Sequence, residues 1–247
     1  MMTFNLLFHV HTRASFDSMM SPRTILRFCR DNNIHAVAIT DHDSLAGNVE
    51  AQRLASTYGV IVIPAVEIST NAGDIVALFV SQAPTTRDIR ETLRFIHATP
   101  RGLSVLPHPA RGHDMPSIPL DEIDLVETAN ARCSTEDNQM AESLAARHDK
   151  PALVGADAHI PGELGSALNQ FDVAKPPADL DELHSMLVGA PRSFTFSRSP
   201  VRYAAMSRAI KGVKRRQPLT LFSACRTILR EEANRRLWRV KRKAGVE

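Results

Sequence analysis

The sequence has few cysteines and no long hydrophobic run, and both absences restrict the class of protein. Its three cysteines, Cys29, Cys133 and Cys225, are far apart and odd in number. This argues against a disulfide framework and favours a reducing compartment, so we expect a cytoplasmic protein. No run of about 18 apolar residues is present, so we expect no transmembrane helix. The N-terminus lacks a basic segment followed by an apolar run, so we expect no secretory signal.

Charges of both signs are present, but they are divided unevenly along the chain. Residues 1–197 contain 15 Lys or Arg against 24 Asp or Glu, whereas residues 198–247 contain 15 Lys or Arg against 3 Asp or Glu. The basic block therefore needs an explanation separate from that of the acidic body. We predict a domain over residues 1–197 and a basic helical C-terminal extension over residues 198–247.

The main part of the chain alternates apolar runs with segments that are typical of helices. Such alternation indicates βα units and a parallel sheet. A chain of 247 residues can form one α/β barrel together with an appendage. The predicted strands cover residues 4–10, 35–40, 60–66, 74–80, 103–106, 123–128 and 152–156, and a closing segment covers residues 162–197.

Residue types that bind metals follow these strands at their C-terminal ends, where α/β barrels carry their functional groups. His9 and His11 lie two residues apart on the first strand, so we expect their imidazoles to project from one face as two ligands of one ion. An isolated His-x-His is more often a pair of surface histidines, but four later segments repeat the pattern. They end in Asp41 and His42, in Glu67, in His108, and in Asp157 and His159. We therefore predict one shared site.

These segments together resemble the PHP (polymerase and histidinol phosphatase) family of metal-dependent phosphoesterases, in its small stand-alone form. The resemblance extends from residue 4 to about residue 175. It implies a distorted (β/α)7 barrel that binds up to three zinc, manganese or iron ions. The matching motifs are His9-Val10-His11-Thr12, Asp17, Thr40-Asp41-His42-Asp43-Ser44, Glu67, Pro107-His108-Pro109, Glu127-Thr128-Ala129-Asn130 and Gly155-Ala156-Asp157-Ala158-His159.

The resemblance also implies which residues hold two to three divalent metal ions. Imidazole suits zinc, manganese and iron, and a bridging carboxylate can hold two cations. We expect Asp41 to orient ligands or loop amides instead of binding an ion. The implied ligands are His9, His11, Glu67 and Asp157 for the first ion, Glu67 and His108 for the second, and Asp17, His42 and His159 for the third.

The second ion has one ligand position that the sequence leaves open. Family members usually supply a further His or Cys after the Glu of the fifth strand, and the candidates here are Asn130 and Cys133. Cys133 could ligate as a thiolate whose pKa is lowered by the neighbouring Arg132, or it could be a buried small residue. Asn130 would be a poor ligand for a transition metal.

The implied reaction is hydrolysis of a phosphate ester by a metal-activated water, with no Ser or Cys nucleophile. Arg13, Arg111 and Arg132 adjoin motif residues and are the candidates for contacts with the phosphate. The favoured substrates are phosphorylated small molecules or nucleotides. The alternatives are a nuclease that trims oligonucleotide ends and a non-catalytic PHP scaffold.

The basic C-terminal extension is predicted to form helices over residues 200–214 and 219–243. The first interpretation is an amphipathic helix docked on the barrel with its Lys and Arg in solvent. A contact with nucleic acid and a contact with an anionic surface are the alternatives. No helix-turn-helix or zinc-finger pattern supports sequence-specific reading of DNA.

Overall fold

A computed structural model of the chain describes the backbone of residues 2–243 and the side chains of residues 2–235. Strands and helices alternate along the barrel, as the periodicity predicts. The strands are β1 (Met2–Val10), β2 (Ala36–Ile39), β3 (Ile61–Thr70), β4 (Gly73–Leu78), β5 (Leu103–Leu106), β6 (Leu125–Asn130), β7 (Ala152–Gly155), β8 (Ala167–Val173) and β9 (Ser193–Phe196). The α-helices are α1 (Pro22–Asp31), α2 (Ala46–Tyr58), α3 (Ile89–Ala98), α4 (Thr135–Arg147), α5 (Leu180–Gly189), α6 (Val201–Lys214) and α7 (Pro218–Lys243).

Strands β1–β7 form a nearly closed barrel. Neighbouring strands are parallel except at β4, which is antiparallel to both β3 and β5. The barrel closes where the chain after β7 meets the end of β1, because the His11 amide donates to the Ala158 carbonyl over 2.9 Å. Strand β8 runs antiparallel along the other half of β1, and β9 pairs with β8. This arrangement confirms the predicted distorted (β/α)7 barrel.

The barrel interior and the helix-facing side of the sheet form separate apolar cores. Alternate residues of β1 divide between them: Phe4 and Phe8 pack in the interior, where Leu183 of α5 also packs, whereas Leu7 packs with Ile25 of α1. Because β1 buries both faces, its sequence is an almost continuous apolar run. The polar side chains at the strand ends are therefore exceptions, and they mark the site.

Strand β3 is longer than the sequence predicts, and the extra length matters for the site. We expected the strand to end before Glu67, but it continues to Thr70. It pairs with β2 only as far as Pro64 and with β4 from Ala65 onwards. The hairpin with β4 supplies hydrogen bonds beyond the end of β2, so Glu67 lies inside a strand and reaches the site from there.

Helices α6 and α7 form a hairpin beside the C-terminal ends of the strands. Gly212 of α6 lies so close to Leu221 that a Cβ atom at this position would be 2.8 Å from the Leu221 nitrogen. The helices agree with the predicted helical extension, whose last residues, 244–247, lie outside the described residues. Among the described residues, none of the helices is both long enough and apolar enough to cross a membrane.

Candidate metal centre

The eight predicted ligands meet at the C-terminal end of the barrel. Seven of them follow or terminate β1, β2, β5 and β7, and Glu67 reaches the cluster from within β3. His9, His11, Glu67 and Asp157 are almost completely buried. Ligand-type atoms within 4.8 Å of one another occur in the groups His11/His42/His159, His9/His108/Asp157 and His9/His11/Glu67, and Asp17 Oδ2 lies 3.1 Å from His159 Nε2 and 3.5 Å from His42 Nε2.

Three of these residues have an unusual backbone. His9, His108 and Asp157 have φ angles of 66°, 30° and 46°, in the left-handed region that non-glycine residues rarely occupy. Pairing of β1 with β2 also shifts register between Leu7 and Val10. His9 and His11 do lie side by side, with ring centroids 5.2 Å apart. They reach this position through a distorted strand end and not through the regular alternation that the sequence analysis assumed.

Buried side-chain atoms without a hydrogen-bond partner are concentrated in this cluster. They include His9 Nε2, His11 Nε2, His108 Nδ1 and Asp17 Oδ1. Leaving such atoms buried and unpaired costs about 1–3 kcal/mol each, so they normally have a partner. Imidazole nitrogens and carboxylate oxygens are the donors that zinc, manganese and iron accept. The residues present therefore fit a bound divalent metal.

Glu127 on β6 orients the first histidine of the cluster. His9 Nδ1 donates to Glu127 Oε1 over 2.8 Å, which leaves His9 Nε2 free to face the site. The other carboxylate oxygen accepts from the His108 amide over 2.7 Å. A Cβ at Gly155 would overlap Glu127 Oε1, so the glycine provides the room for this contact. The sequence analysis included Glu127 in a motif but gave it no role.

Asp41 organises the loop that carries His11 and Asp17. Its carboxylate accepts from the Thr12 amide and hydroxyl over 2.6 Å each and from the Ser15 hydroxyl over 2.7 Å. Burial raises the pKa of Asp41, although these hydrogen bonds oppose the shift. The geometry agrees with a role in positioning the loop, since all three of these hydrogen bonds come from it.

The cluster concentrates negative charge around its histidines. Burial alone would lower the pKa of His9, but Glu127, Glu67 and Asp157 raise it well above the ordinary value. In the same way, burial is outweighed at His42, where Glu67 and Asp17 raise the pKa to about 11. Despite burial, nearby His42 and His9 lower the pKa of Glu67, and His9 lowers the pKa of Asp157. The site is therefore built to hold positive charge.

His11 differs from His9 and His42 in this respect. Burial and the neighbouring His159 lower its pKa to about 3, so the ring is neutral near pH 7. Its Nδ1 lies 3.2 Å from the Ser15 hydroxyl, and its ring stacks on that of His159 at a centroid distance of 4.0 Å. A neutral imidazole with one nitrogen engaged can offer the other to a metal.

The structure gives different environments to the two candidates for the open ligand position, and of these Cys133 does not occur in the groups of ligand-type atoms described above. The Asn130 amide nitrogen donates to Glu127, and its oxygen accepts from the Arg132 amide, so both ends of the side chain are engaged. Burial raises the pKa of Cys133 to about 12. The expectation that Arg132 lowers this pKa is wrong, because its guanidinium forms an ion pair with Glu163, and the cation that acts against the shift is Arg111.

The three candidate arginines occupy different environments. Arg111 contacts Asp157 Oδ2 over 2.7 Å and lines the cavity above the cluster. Arg132 also lines the cavity, but both of its outer nitrogens face Glu163 or Ser207. Arg13 pairs with Glu50 on the exposed surface and is not part of the cavity lining.

The cavity has a volume of about 570 Å³ and includes residues that the sequence analysis did not select. Asp74 of β4 lies near Glu67 and His108, within the same 4.8 Å criterion. The Phe16 ring stacks on His42 at a centroid distance of 4.6 Å. Four residues of α6 complete one wall. The position of Asp74 depends on the β3–β4 hairpin and that of α6 on long-range docking, and neither has a local sequence signal.

Comparisons with known proteins identify the family of the chain. The family described as PHP-associated matches residues 135–186. An uncharacterised protein of Methanocaldococcus jannaschii is 31% identical over 183 residues, which are 68% of this chain and 72% of the relative. The chain belongs to the PHP-domain family. A second uncharacterised protein of that organism is 36% identical over 112 residues, and the matched region is 41% of this chain and 65% of that protein's length.

Two further proteins extend the comparison of this PHP domain. A two-domain protein of Bacteroides vulgatus, which contains a predicted PHP-like metal-dependent phosphoesterase, superposes with a TM-score of 0.67. It is 17% identical, and the match covers 79% of this chain and 65% of the solved one, so the likeness concerns the fold. The 5'-3' exoribonuclease of Haemophilus influenzae is 38% identical over 63 residues, which are 26% of this chain and 23% of that enzyme.

Proposed function

We propose that this PHP-domain protein is a metal-dependent hydrolase of phosphate esters. The observation that carries the proposal is the set of buried, unpartnered donor atoms on His9, His11, His108 and Asp17, of which His108 and Asp17 line an open cavity. Two to three zinc, manganese or iron ions would be held there by the eight clustered residues, His9, His11, Asp17, His42, Glu67, His108, Asp157 and His159. When bound, such ions supply a water of lowered pKa and stabilise charge on the phosphate.

The chain itself would bind and orient the substrate. Arg111 lies at the cluster and exposes part of its side chain to the cavity, so its guanidinium is placed to contact a phosphate oxygen. Glu127 and Asp41 hold His9 and the Thr12–Ser15 loop in position. Arg132 would stabilise the wall through Glu163 instead of contacting phosphate. We favour phosphorylated small molecules or nucleotides as substrates, in a cytoplasmic protein whose PHP domain spans residues 1–197.

The test combines elemental analysis with a screen for phosphate release. The protein is purified, loaded separately with manganese, iron and zinc, and assayed on mononucleotides, sugar phosphates and short oligonucleotides. We expect two to three metal ions per chain and turnover of at least one phosphate ester. Less than one ion per chain, with no turnover under any loading, would overturn the proposal and favour the non-catalytic scaffold.

A nuclease that trims oligonucleotide ends is the second candidate. The observation that favours it is the local similarity to an exoribonuclease, together with the basic helix α6 next to the cavity. The same screen separates the two, because a nuclease releases mononucleotides from oligonucleotides faster than phosphate from mononucleotides. A nuclease that uses residues 198–247 as a clamp would also bind single-stranded RNA with strong salt dependence.

A further inference from the structure

One face of α6 forms a wall of the cavity above the eight clustered predicted ligands. These ligands are called the metal cluster from here on. The residues that line the cavity are Ala204, Ser207, Arg208 and Lys211. Their spacing of three, four and seven residues places them on a single face of the helix. The helix is held there by its own contacts with the barrel, since Arg132 donates to the Ser207 hydroxyl over 3.0 Å. The cavity is therefore bordered by the C-terminal helices as well as by the barrel.

Two cations on this face have no acidic partner. Arg208 makes no hydrogen bond or ion pair among the described residues, and the Lys211 ammonium lies 5.0 Å from the centre of the Phe16 ring. Residues 198–217 contain no Asp or Glu that could neutralise them. By contrast, the other cavity arginines, Arg111 and Arg132, are paired with Asp157 and Glu163. Arg208 and Lys211 thus present positive charge to the cavity, and neither forms an ion pair with a carboxylate of the described residues.

The arrangement separates two places where an anion can bind. One lies at the metal cluster, where bound cations and Arg111 would attract a phosphate. The other lies at Arg208 and Lys211, on a different wall of the same 570 Å³ cavity. Arg208 is exposed and Lys211 is half-buried, so both can reach a bound anion, and Arg and Lys are the residues that proteins use to bind phosphate groups. A substrate with one phosphate would leave the second place empty.

We propose that Arg208 and Lys211 form an anion subsite for a second phosphate group of the substrate, whose first phosphate lies at the metal cluster. The inference rests on the proposed function and narrows its substrate class to molecules with at least two phosphates. The second phosphate belongs either to a small bisphosphate or to the next linkage of an oligonucleotide. In both cases the chemistry that Arg208 and Lys211 recognise is the same.

Calorimetric titration of the manganese-loaded protein tests the subsite without requiring turnover. The probes are methylphosphonate, which has one anionic group, and propylene diphosphonate, which has two. The double variant Arg208→Gln/Lys211→Met should bind the diphosphonate about tenfold or more weakly than the wild type, because charge-assisted hydrogen bonds are lost. Binding of methylphosphonate should remain unchanged. A phosphorylated trinucleotide, used as a third probe, distinguishes an oligonucleotide from a small bisphosphate.

The control variant is Arg226→Gln, which removes one charge from the exposed surface of α7. It should bind both phosphonates as the wild type does, and all variants should keep their metal content and thermal stability. An equal loss for both phosphonates, or the same loss in Arg226→Gln, would overturn the subsite and indicate a general effect of charge. If the wild type binds methylphosphonate but prefers neither longer probe, the subsite fails while the proposed function stands. If it binds no probe at all, both fail.

Discussion

The metal cluster and the face of α6 that borders it both carry charge, but they hold it in different ways. In the cluster each oriented group has a buried partner: His9 contacts Glu127, and Arg111 contacts Asp157. On α6, Arg208 has no such partner, and its position depends on the packing of the helix. The difference indicates that the cluster is a rigid constellation with fixed geometry, whereas the basic face provides attraction with less exact positioning.

Removing the carboxylate that lies closest to several histidines should have the largest effect on metal binding and activity. Glu67 lies within 3.5 Å of His9, His11, His42 and His108, so Glu67→Ala removes the group that most of the cluster shares. We expect loss of bound metal and of all activity, measured by elemental analysis and by phosphate release. Glu142→Gln, on the exposed surface of α4, is the control and should retain both. Stoichiometric metal and full activity in Glu67→Ala would refute the assigned site.

A lysine at the end of α6 tests whether the helix also supports the cluster. The Lys214 ammonium donates to the carbonyl oxygens of Arg13, Ser15 and Ser18 over 2.7–2.8 Å, around the loop that carries Asp17. Lys214→Met removes all three bonds, so we expect metal affinity at the Asp17 position to fall by about 10–100-fold. Metal titration measures the change, and Arg230→Met on α7 is the control. Unchanged affinity would mean that the other hydrogen bonds of the loop, including those of Asp41 and Ser18, hold it without Lys214.

Replacing Glu127, which orients His9, should lower metal affinity less than replacing Glu67, which lies close to several histidines. Glu127→Gln keeps the shape of the side chain but places an amide where His9 Nδ1 and the His108 amide both donate. We expect metal affinity to fall by about tenfold with the fold retained. Metal titration together with thermal denaturation separates the two effects. A variant that binds metal normally would show that backbone geometry alone orients His9.

Metal binding should release protons, and the release should be sensitive to pH. The pKa of His42 is raised to about 11 and that of His9 is also raised, so both rings are protonated in the metal-free site near pH 7. An imidazole must lose its proton to ligate, so apparent metal affinity should fall as the pH is lowered. Calorimetry in buffers of different ionisation enthalpy measures the released protons. Binding without proton release would contradict the protonated state of these histidines.

Replacing Arg13 should have the smallest effect on metal binding and activity. Its guanidinium pairs with Glu50 on the exposed surface, and such pairs contribute less than about 1 kcal/mol to stability. We expect Arg13→Ala to leave metal content and kcat/KM near the wild-type values, in contrast to Arg111→Ala, which should raise KM for a phosphate ester. Equal losses in the two variants would place Arg13 in contact with substrate after all.

The sequence predicts those features of the fold and of the site that follow from the periodicity of the chain. Alternating strands and helices predict the barrel, and the end of each strand predicts where His42, His108 and Asp157 lie. It does not predict the environment of a side chain when that environment depends on pairing with a distant strand or residue. Glu67 lies within a strand only because pairing with β4 extends β3. The Arg132 guanidinium is paired with Glu163, which is 31 residues away in the chain.

The environment of Cys133 and the wall formed by α6 could not be predicted from the sequence for the same reason, because both depend on residues that are distant in the chain. The pKa of a thiol depends on burial, which a neighbouring Arg in the sequence does not report. The basic composition of residues 198–247 was compatible with solvent, nucleic acid or an anionic surface. Only the docking of α6 places Arg208 and Lys211 beside the predicted site.

The left-handed backbone of His9, His108 and Asp157 has a consequence for protein design. Each such residue carries a conformational cost of about 1–3 kcal/mol that the surrounding barrel must outweigh. Transplanting the eight side chains onto the regular strand ends of another barrel would therefore aim three of them in the wrong direction. A designer who wishes to reproduce the centre must graft the irregular strand ends as well, together with Gly155, which leaves room for the carboxylate behind His9.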